Sequence, residues 1–318
     1  MSENFRRHLV EKCPICGLDV TGKTRVLTDL SGAMSGTFVS VRCFCGVNWL
    51  RDPVSHGDIA LAYGNDYYSF TWPDLSLAPR VLGALRQRLL NSRYRARPSR
   101  MALVVADLLP CYPPPGVAGR VLDVGCGSGE RMRRLEVAGW ECVGIDASEP
   151  AVTSGVERGL DIGRAEATAL PFPDESFDAV LMSHSIEHCE DPRRAVQEAA
   201  RVLKCGGSLT VTTPNGASPI ATLFGAMWVN WDAPRHYLVF SRSSLRNLLI
   251  DEGFEVIRVR GSSTGWSWAQ SLHYLGRSRQ WRNTDLVVNV ARLPAIAAAL
   301  FMNFSRYADE VEIVSRKV

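Results

Sequence analysis

The segment Val121-Leu-Asp-Val-Gly-Cys-Gly-Ser-Gly-Glu130 constrains this chain more than any other. Val121 to Val124 reads as a buried strand, and Ser128 to Ala138 as a helix that begins at once. Between them stand Gly125, Gly127 and Gly129. Glycines there permit a tight strand-to-helix turn and let a ligand approach the backbone closely. A tight turn with no ligand is the plainer reading of the glycines alone.

The residues that follow repeat the strand–helix theme. Strands are expected at Glu141–Ile145, Asp161–Ala165, Phe177–Ser183, Ser208–Thr213 and Phe254–Val259. Helices are expected at Glu149–Arg158, Arg193–Leu203 and Ser243–Glu252. Such alternation predicts right-handed βαβ units, an α/β fold with a doubly wound, Rossmann-like parallel sheet. Ligands of such sheets bind beyond the carboxyl ends of the strands.

The acids say which ligand suits the glycine turn. Asp123 precedes the first glycine by two residues and would repel a pyrophosphate, but it suits a ligand carrying an ammonium and a sulfonium. Asp146 ends the second strand, in Val143-Gly-Ile-Asp146, where a carboxylate can hold a ribose diol. Its plainer reading is a helix N-terminal residue, since Ser148 and Glu149 follow.

Together these motifs resemble the class I S-adenosylmethionine-dependent methyltransferases. The glycine segment resembles their first motif, and Val143 to Ser148 their ribose-binding second motif. Glu166-Ala167 with Leu170-Pro-Phe-Pro-Asp-Glu-Ser-Phe-Asp178 is similar to the third region, with Glu166 where aspartate is more usual. Ser183-His-Ser-Ile-Glu-His188, followed by Asp191-Pro192, looks like the loop after the fourth strand. Arg201-Val-Leu-Lys-Cys-Gly-Gly207 is similar to the turn before the fifth. The resemblance implies a seven-stranded sheet whose last strand is antiparallel, with Glu310–Ser315 as the candidate. It also implies S-adenosylmethionine as methyl donor, held by Asp123, Gly125, Gly127, Gly129, Asp146, Glu166, Ala167 and Ser183.

Methyl transfer to a hydroxyl is helped by a general base. Two segments expected to converge on the open end of the cofactor cleft offer histidines: His184 and His188 after the fourth strand, and His236 in Trp231-Asp-Ala-Pro-Arg-His-Tyr237. His188 and His236 are equal candidates for the base, against the plainer readings of a helix-start residue and a loop histidine bonded to backbone. Trp228, Trp231, Tyr237, Trp266 and Trp268 are either core or walls of an acceptor pocket.

Nine cysteines, and a start without the apolar stretch of a secretory signal, point to a reducing, cytoplasmic setting. There, Cys13-x2-Cys16 and Cys43-x-Cys45 are expected to supply four thiolates to a structural zinc ion, with His56 as a substitute ligand. This first part is similar to the N-terminal zinc-binding region of a bacterial group of small-molecule and sugar methyltransferases. The expected division is a cysteine module over 1–60, a connector with an aromatic patch (Tyr63, Tyr67, Tyr68, Phe70 and Trp72) and an Arg-rich helix over 61–118, and the methyltransferase domain over 119–318. A helical insertion is expected at about 262–308.

The expected acceptor is a small molecule, a hydroxyl of a sugar, glycan precursor or secondary metabolite. A net charge of +3 does not point to nucleic acid or an anionic membrane. The run Arg86, Arg88, Arg93, Arg95, Arg97 and Arg100 keeps an RNA methyltransferase as the rival reading, and a non-catalytic protein on the same fold as a second. Leu286 to Met302, broken by Asn289, Arg292 and Pro294, is too short and too polar for a membrane span.

Overall fold

The computed structural model describes residues 6–19, 22–55, 58–63, 119–137, 139–263, 266–280, 302, 305 and 307–318. His56, the Arg86–Arg100 run, most of the aromatic patch and the stretch 281–301 lie outside the described residues.

Among the described residues two sheets are present. The larger has strands β4 (Arg120–Val124), β5 (Glu141–Asp146), β6 (Ile162–Arg164), β7 (Phe177–Ser183), β8 (Leu203–Pro214), β10 (Phe254–Ser262) and β11 (Glu310–Lys317). Their order is β10-β11-β8-β7-β4-β5-β6. The strands from β8 through β6 are parallel, whereas β11 runs antiparallel between β8 and β10. The seven-stranded α/β sheet with an antiparallel last strand is therefore as expected. Its order reverses at β4, between β5 and β7, which places the mouth of the ligand crevice at the glycine turn.

Local chemistry starts each crossover helix. In α2 (Glu149–Glu157) the Ser148 hydroxyl accepts from Ala151 N and a proline stands in the first turn. In α3 (Pro192–Val202) the Asp191 carboxylate accepts from Arg194 N. Ala195, Val196, Ala199 and Val202 then form a buried stripe facing the sheet. Helix α1 (Glu130–Val137) begins two residues later than the apolar pattern predicts, because Ser128 and Gly129 are still part of the turn.

The smaller sheet is built from β1 (Thr24–Thr28), β2 (Thr37–Arg42), β3 (Asn48–Leu50) and β9 (Leu238–Val239), in that order and antiparallel throughout. Its last strand comes from the segment after β8, so Trp49 faces Leu238 and Asn48 faces Val239 across the ladder. One buried core unites Cys13, Ile15, Val41 and Trp49 with Tyr237, Leu238, Phe240 and the interior of the large sheet. A second buries Trp228 and Trp231 against Phe38 and Leu50. Trp228, Trp231 and Tyr237, at 0%, 4% and 5% exposure, are thus core residues, the first of the two roles open to them.

A buried ion network seals this joint. The Arg235 guanidinium donates to Asp29 at 2.9 Å, to Asp232 at 2.5 Å and to the Ala62 carbonyl at 2.9 Å. One guanidinium serves two carboxylates, and multiple charge-assisted bonds offset part of the desolvation cost. Helix α4 (Pro219–Phe224), helix α5 (Arg242–Asp251) and helix α6 (Trp266–Ser278) follow, with short 3-10 turns among the described elements, and α6 lies within the stretch 262–308. No described helix is long and apolar enough to cross a membrane.

Candidate active site

The glycine turn is tied to the neighbouring strand end. Gly125 N and Cys126 N both donate to the Ile145 carbonyl, at 2.8 and 3.0 Å. Gly125 has φ +72°, and a Cβ there would stand 2.5 Å from Cβ of Ser185. Only glycine both adopts that conformation freely and admits the Ser183–His188 loop so close.

Asp146 closes the turn from the other side. Its two carboxylate oxygens accept from Gly127 N at 2.8 Å and Ser148 N at 2.9 Å. Asp146 thus braces turn and helix start together, while the helix cap is Ser148. Burial pushes its carboxyl up, against the pull of the two backbone donors. Glu166 follows β6 on the same edge and is exposed, and Ala167 is half-buried against the core.

Asp123 is 1% exposed. Arg131 Nη1 donates to its Oδ1 at 3.0 Å, but Oδ2 is buried with no hydrogen-bond partner. Burial pushes this carboxyl up, and Arg131 only partly opposes it. An under-compensated carboxylate beside a glycine turn fits a cationic ligand and does not fit a pyrophosphate. The residues present therefore fit the ammonium-bearing donor.

The loop after β7 carries the histidines. His184 has φ +54°, an uncommon conformation for a side-chain-bearing residue and one that clusters at functional sites. It stands between two acids, with Nδ1 3.3 Å from Glu187 Oε1 and Nε2 3.8 Å from Glu310 Oε1. Burial opposes its charge, yet the two acids outweigh burial and raise it to about 9. Glu187 is fully buried, with Thr213 Oγ1 donating to its Oε2 at 3.0 Å. Burial disfavours its charge, but His184 outweighs that and holds it at about 2.

The segments of His188 and His236, expected from the sequence to converge at the cleft, bring the two rings into contact. Their ring centroids are 4.6 Å apart at 78°. His188 Nδ1 lies 3.0 Å from the Arg235 carbonyl and 3.0 Å from the Tyr63 hydroxyl. Its charged form is disfavoured by burial and by His236, which lowers it to about 4. His236 is 6% exposed, with Nδ1 2.9 Å from the Asn230 carbonyl, the backbone bond expected of a loop histidine. Tyr63 is the neighbour that sequence reasoning missed, since it grouped Tyr63 with an aromatic patch. No local signal links it to a histidine 125 positions away.

The cysteine pairs also converge. Cys13 Sγ is 3.7 Å from Cys45 Sγ, Cys16 Sγ is 3.4 Å from Cys43 Sγ, and all four lie within 4.8 Å of one another. Sulfurs held ~2.3 Å from a tetrahedral ion stand about 3.8 Å apart, so the spacing is compatible with one zinc ion. The shorter Cys-x-Cys spacing is accommodated because Gly46 turns the chain at φ +97° and Cys43 N bonds the Val47 carbonyl at 2.8 Å.

Comparison with known proteins agrees with this geometry. Residues 122–211 match the family described as "Methyltransferase domain". A demethylmenaquinone methyltransferase of Corynebacterium efficiens is 34% identical over 109 residues, 34% of this chain and 46% of that protein. The chain thus spans less than half the length of the first curated relatives it matches. A demethylmenaquinone methyltransferase of Corynebacterium urealyticum is 26% identical over 73% of this chain and 88% of its own length. A solved S-adenosylmethionine-dependent methyltransferase of Thermotoga maritima aligns with TM-score 0.46 and 21% identity, over 75% of this chain and 97% of that one. Strand order, glycine turn and family match thus agree, with residues 122–211 matching the methyltransferase-domain family on a seven-stranded sheet whose last strand is antiparallel.

Proposed function

We propose that the protein transfers a methyl group from S-adenosylmethionine to a hydroxyl of a small molecule, such as a sugar, glycan precursor or secondary metabolite. The observation that carries this reading is the buried, unpartnered Oδ2 of Asp123 beside the glycine turn. Asp123 would hold the donor's ammonium and Asp146 its ribose, with Gly125, Gly127 and Gly129 letting the backbone approach. Glu166 and Ala167 would face the adenine, and Ser183 would border the site from the end of β7.

The donor supplies an activated methyl: the oxygen–carbon bond forms as the carbon–sulfur bond breaks, its electron pair returning to sulfur. The protein's own part is to align the acceptor and accept its proton. His188 and His236 supply the basic lone pairs for that step. Each ring has its Nδ1 beside a carbonyl oxygen, which can only accept, so each proton sits on Nδ1 and each lone pair on Nε2.

The cysteine cluster would hold one structural zinc ion. It would lock the small sheet onto the methyltransferase domain and so steady Tyr63 and the Arg235 segment around the histidines. We take 1–60, 61–118 and 119–318 as the functional division, with β9 lending the first unit its last strand.

Calorimetry with S-adenosylmethionine tests the donor site, and an acceptor screen with labelled donor tests the activity. Binding of a nicotinamide or flavin dinucleotide in place of S-adenosylmethionine would overturn the reading.

A further inference from the structure

Glu187, His188 and His236 each present one ligand-type atom, all within 4.8 Å of one another. Oxygen and nitrogen ligands ~2.0–2.2 Å from an ion stand about 3–3.6 Å apart, so a modest tightening would close this trio around one.

What the three atoms are matters more than how near they are. The Nδ1 protons of both rings are committed to carbonyls, at 3.0 Å on Arg235 and 2.9 Å on Asn230. The Tyr63 hydroxyl, 3.0 Å from His188 Nδ1, shares that same proton as a second acceptor. Both Nε2 atoms are therefore acceptors. Glu187 adds a third, because its Oε1 is buried and has no hydrogen-bond partner. His184 lies 3.3 Å from that oxygen and lends it electrostatic support without an aligned hydrogen bond. Asp232 brings a further carboxylate oxygen to 3.8 Å from His236 Nε2. Acceptors gathered in a buried place repel one another; His184 offsets Glu187 from one side, and a cation among the three would offset the rest.

The bonds from Nδ1 to main-chain carbonyls are the arrangement that orients metal-ligating histidines and raises their basicity. Two imidazoles and a carboxylate suit a borderline divalent ion of the first transition row, and do not suit calcium or magnesium. We propose that Glu187, His188 and His236 bind such a divalent ion at the acceptor end of the cleft, distinct from the thiolate cluster. The proposal rests on the reading above for the place of the acceptor. It replaces one step of that reading: with the ion bound, the imidazole lone pairs hold it, and the acceptor's proton goes elsewhere than to His188 or His236. An ion there supplies Lewis-acid chemistry, making an acceptor hydroxyl more acidic so that its proton leaves to water.

The test is a Co2+ titration of the full chain followed by visible absorption, with metal content measured after dialysis. Thiolate ligands give an intense sulfur-to-cobalt band, whereas a nitrogen–oxygen site gives only weak d–d bands. The wild-type chain should gain a further equivalent of Co2+, seen as d–d absorption without added thiolate intensity. Glu187→Gln and His188→Ala should weaken that equivalent by roughly 100-fold while leaving the thiolate band intact. If wild-type uptake stops when the thiolate band saturates, the ion site is overturned without recourse to any variant. It is also overturned if folded Glu187→Gln and His188→Ala chains bind the further equivalent as wild type does. If no ion binds and His188→Ala still loses turnover, the imidazole is a base and the ion site is removed. Failure to bind S-adenosylmethionine removes the methyltransferase reading and leaves the ion count unaffected.

Discussion

Asp123→Asn keeps the shape of a side chain that is 1% exposed and removes its charge. An ion held in a protein interior costs several kcal/mol relative to water. Arg131 returns part of that through its 3.0 Å bond, but its side chain is 30% exposed and its charge correspondingly screened. The unpartnered Oδ2 returns nothing. Without ligand, the Asn variant should therefore be as stable as wild type or more so, by up to ~1 kcal/mol, which is about 2–4 °C in melting temperature. A cationic ligand would lose one charge-assisted hydrogen bond of ~1.5–3 kcal/mol, or about 10–150-fold in Kd. Scanning fluorimetry without ligand gives the first quantity. Calorimetry with S-adenosylmethionine and with S-adenosylhomocysteine, which keeps the ammonium, gives the second, and both ligands should weaken together. Undiminished affinity, or a ligand-free variant that melts several degrees lower, would refute the reasoning.

Gly125→Ala should destabilise by at least ~2 kcal/mol in urea, since the left-handed backbone alone costs about 1–2 kcal/mol and the new Cβ meets Ser185. Arg235→Met leaves Asp29 and Asp232 without their cation and should cost ~3–5 kcal/mol by the same measurement; an unchanged midpoint would mean the network is not closed in solution. Cys16→Ser should release zinc and lower the melting temperature, and metal analysis showing no zinc in the wild-type chain would remove the basis for both. Glu198 is held below the ordinary glutamate value, chiefly by Arg201. Its stabilisation is complete above the unfolded value near ~4.3 and is lost as pH falls through the lower folded value. Urea midpoints should therefore drop on acidification below about pH 5, and less steeply in Glu198→Gln.

The elements that could be read from the chain are those whose cause is local. The strand Phe177–Ser183 is where its apolar run placed it, and the ends of the crossover helices follow from Ser148, Asp191 and Ser241. Boundaries shifted where a turn overrode the pattern, as at Ser128, and where pairing extended a strand, as β10 to Ser262 and β8 back to Leu203. In the candidate site the individual histidines were legible because each follows a strand at the ligand edge. That their segments converge was legible too, but the ring contact at 4.6 Å was not, because it depends on how the segment after β8 folds back.

By itself the sequence determined the βα succession, the glycine turn with its acids, and two cysteine knuckles, since each arises within roughly ten residues through backbone preference, capping and side-chain alternation. Only the tertiary structure decided that β9 completes the N-terminal sheet, that Arg235 reaches Asp29 across 206 positions, and that Tyr63, Glu187, His188 and His236 share one place. These contacts come from burying two apolar faces against each other. Burial rewards the area removed from water whatever the separation along the chain, so no local pattern records it.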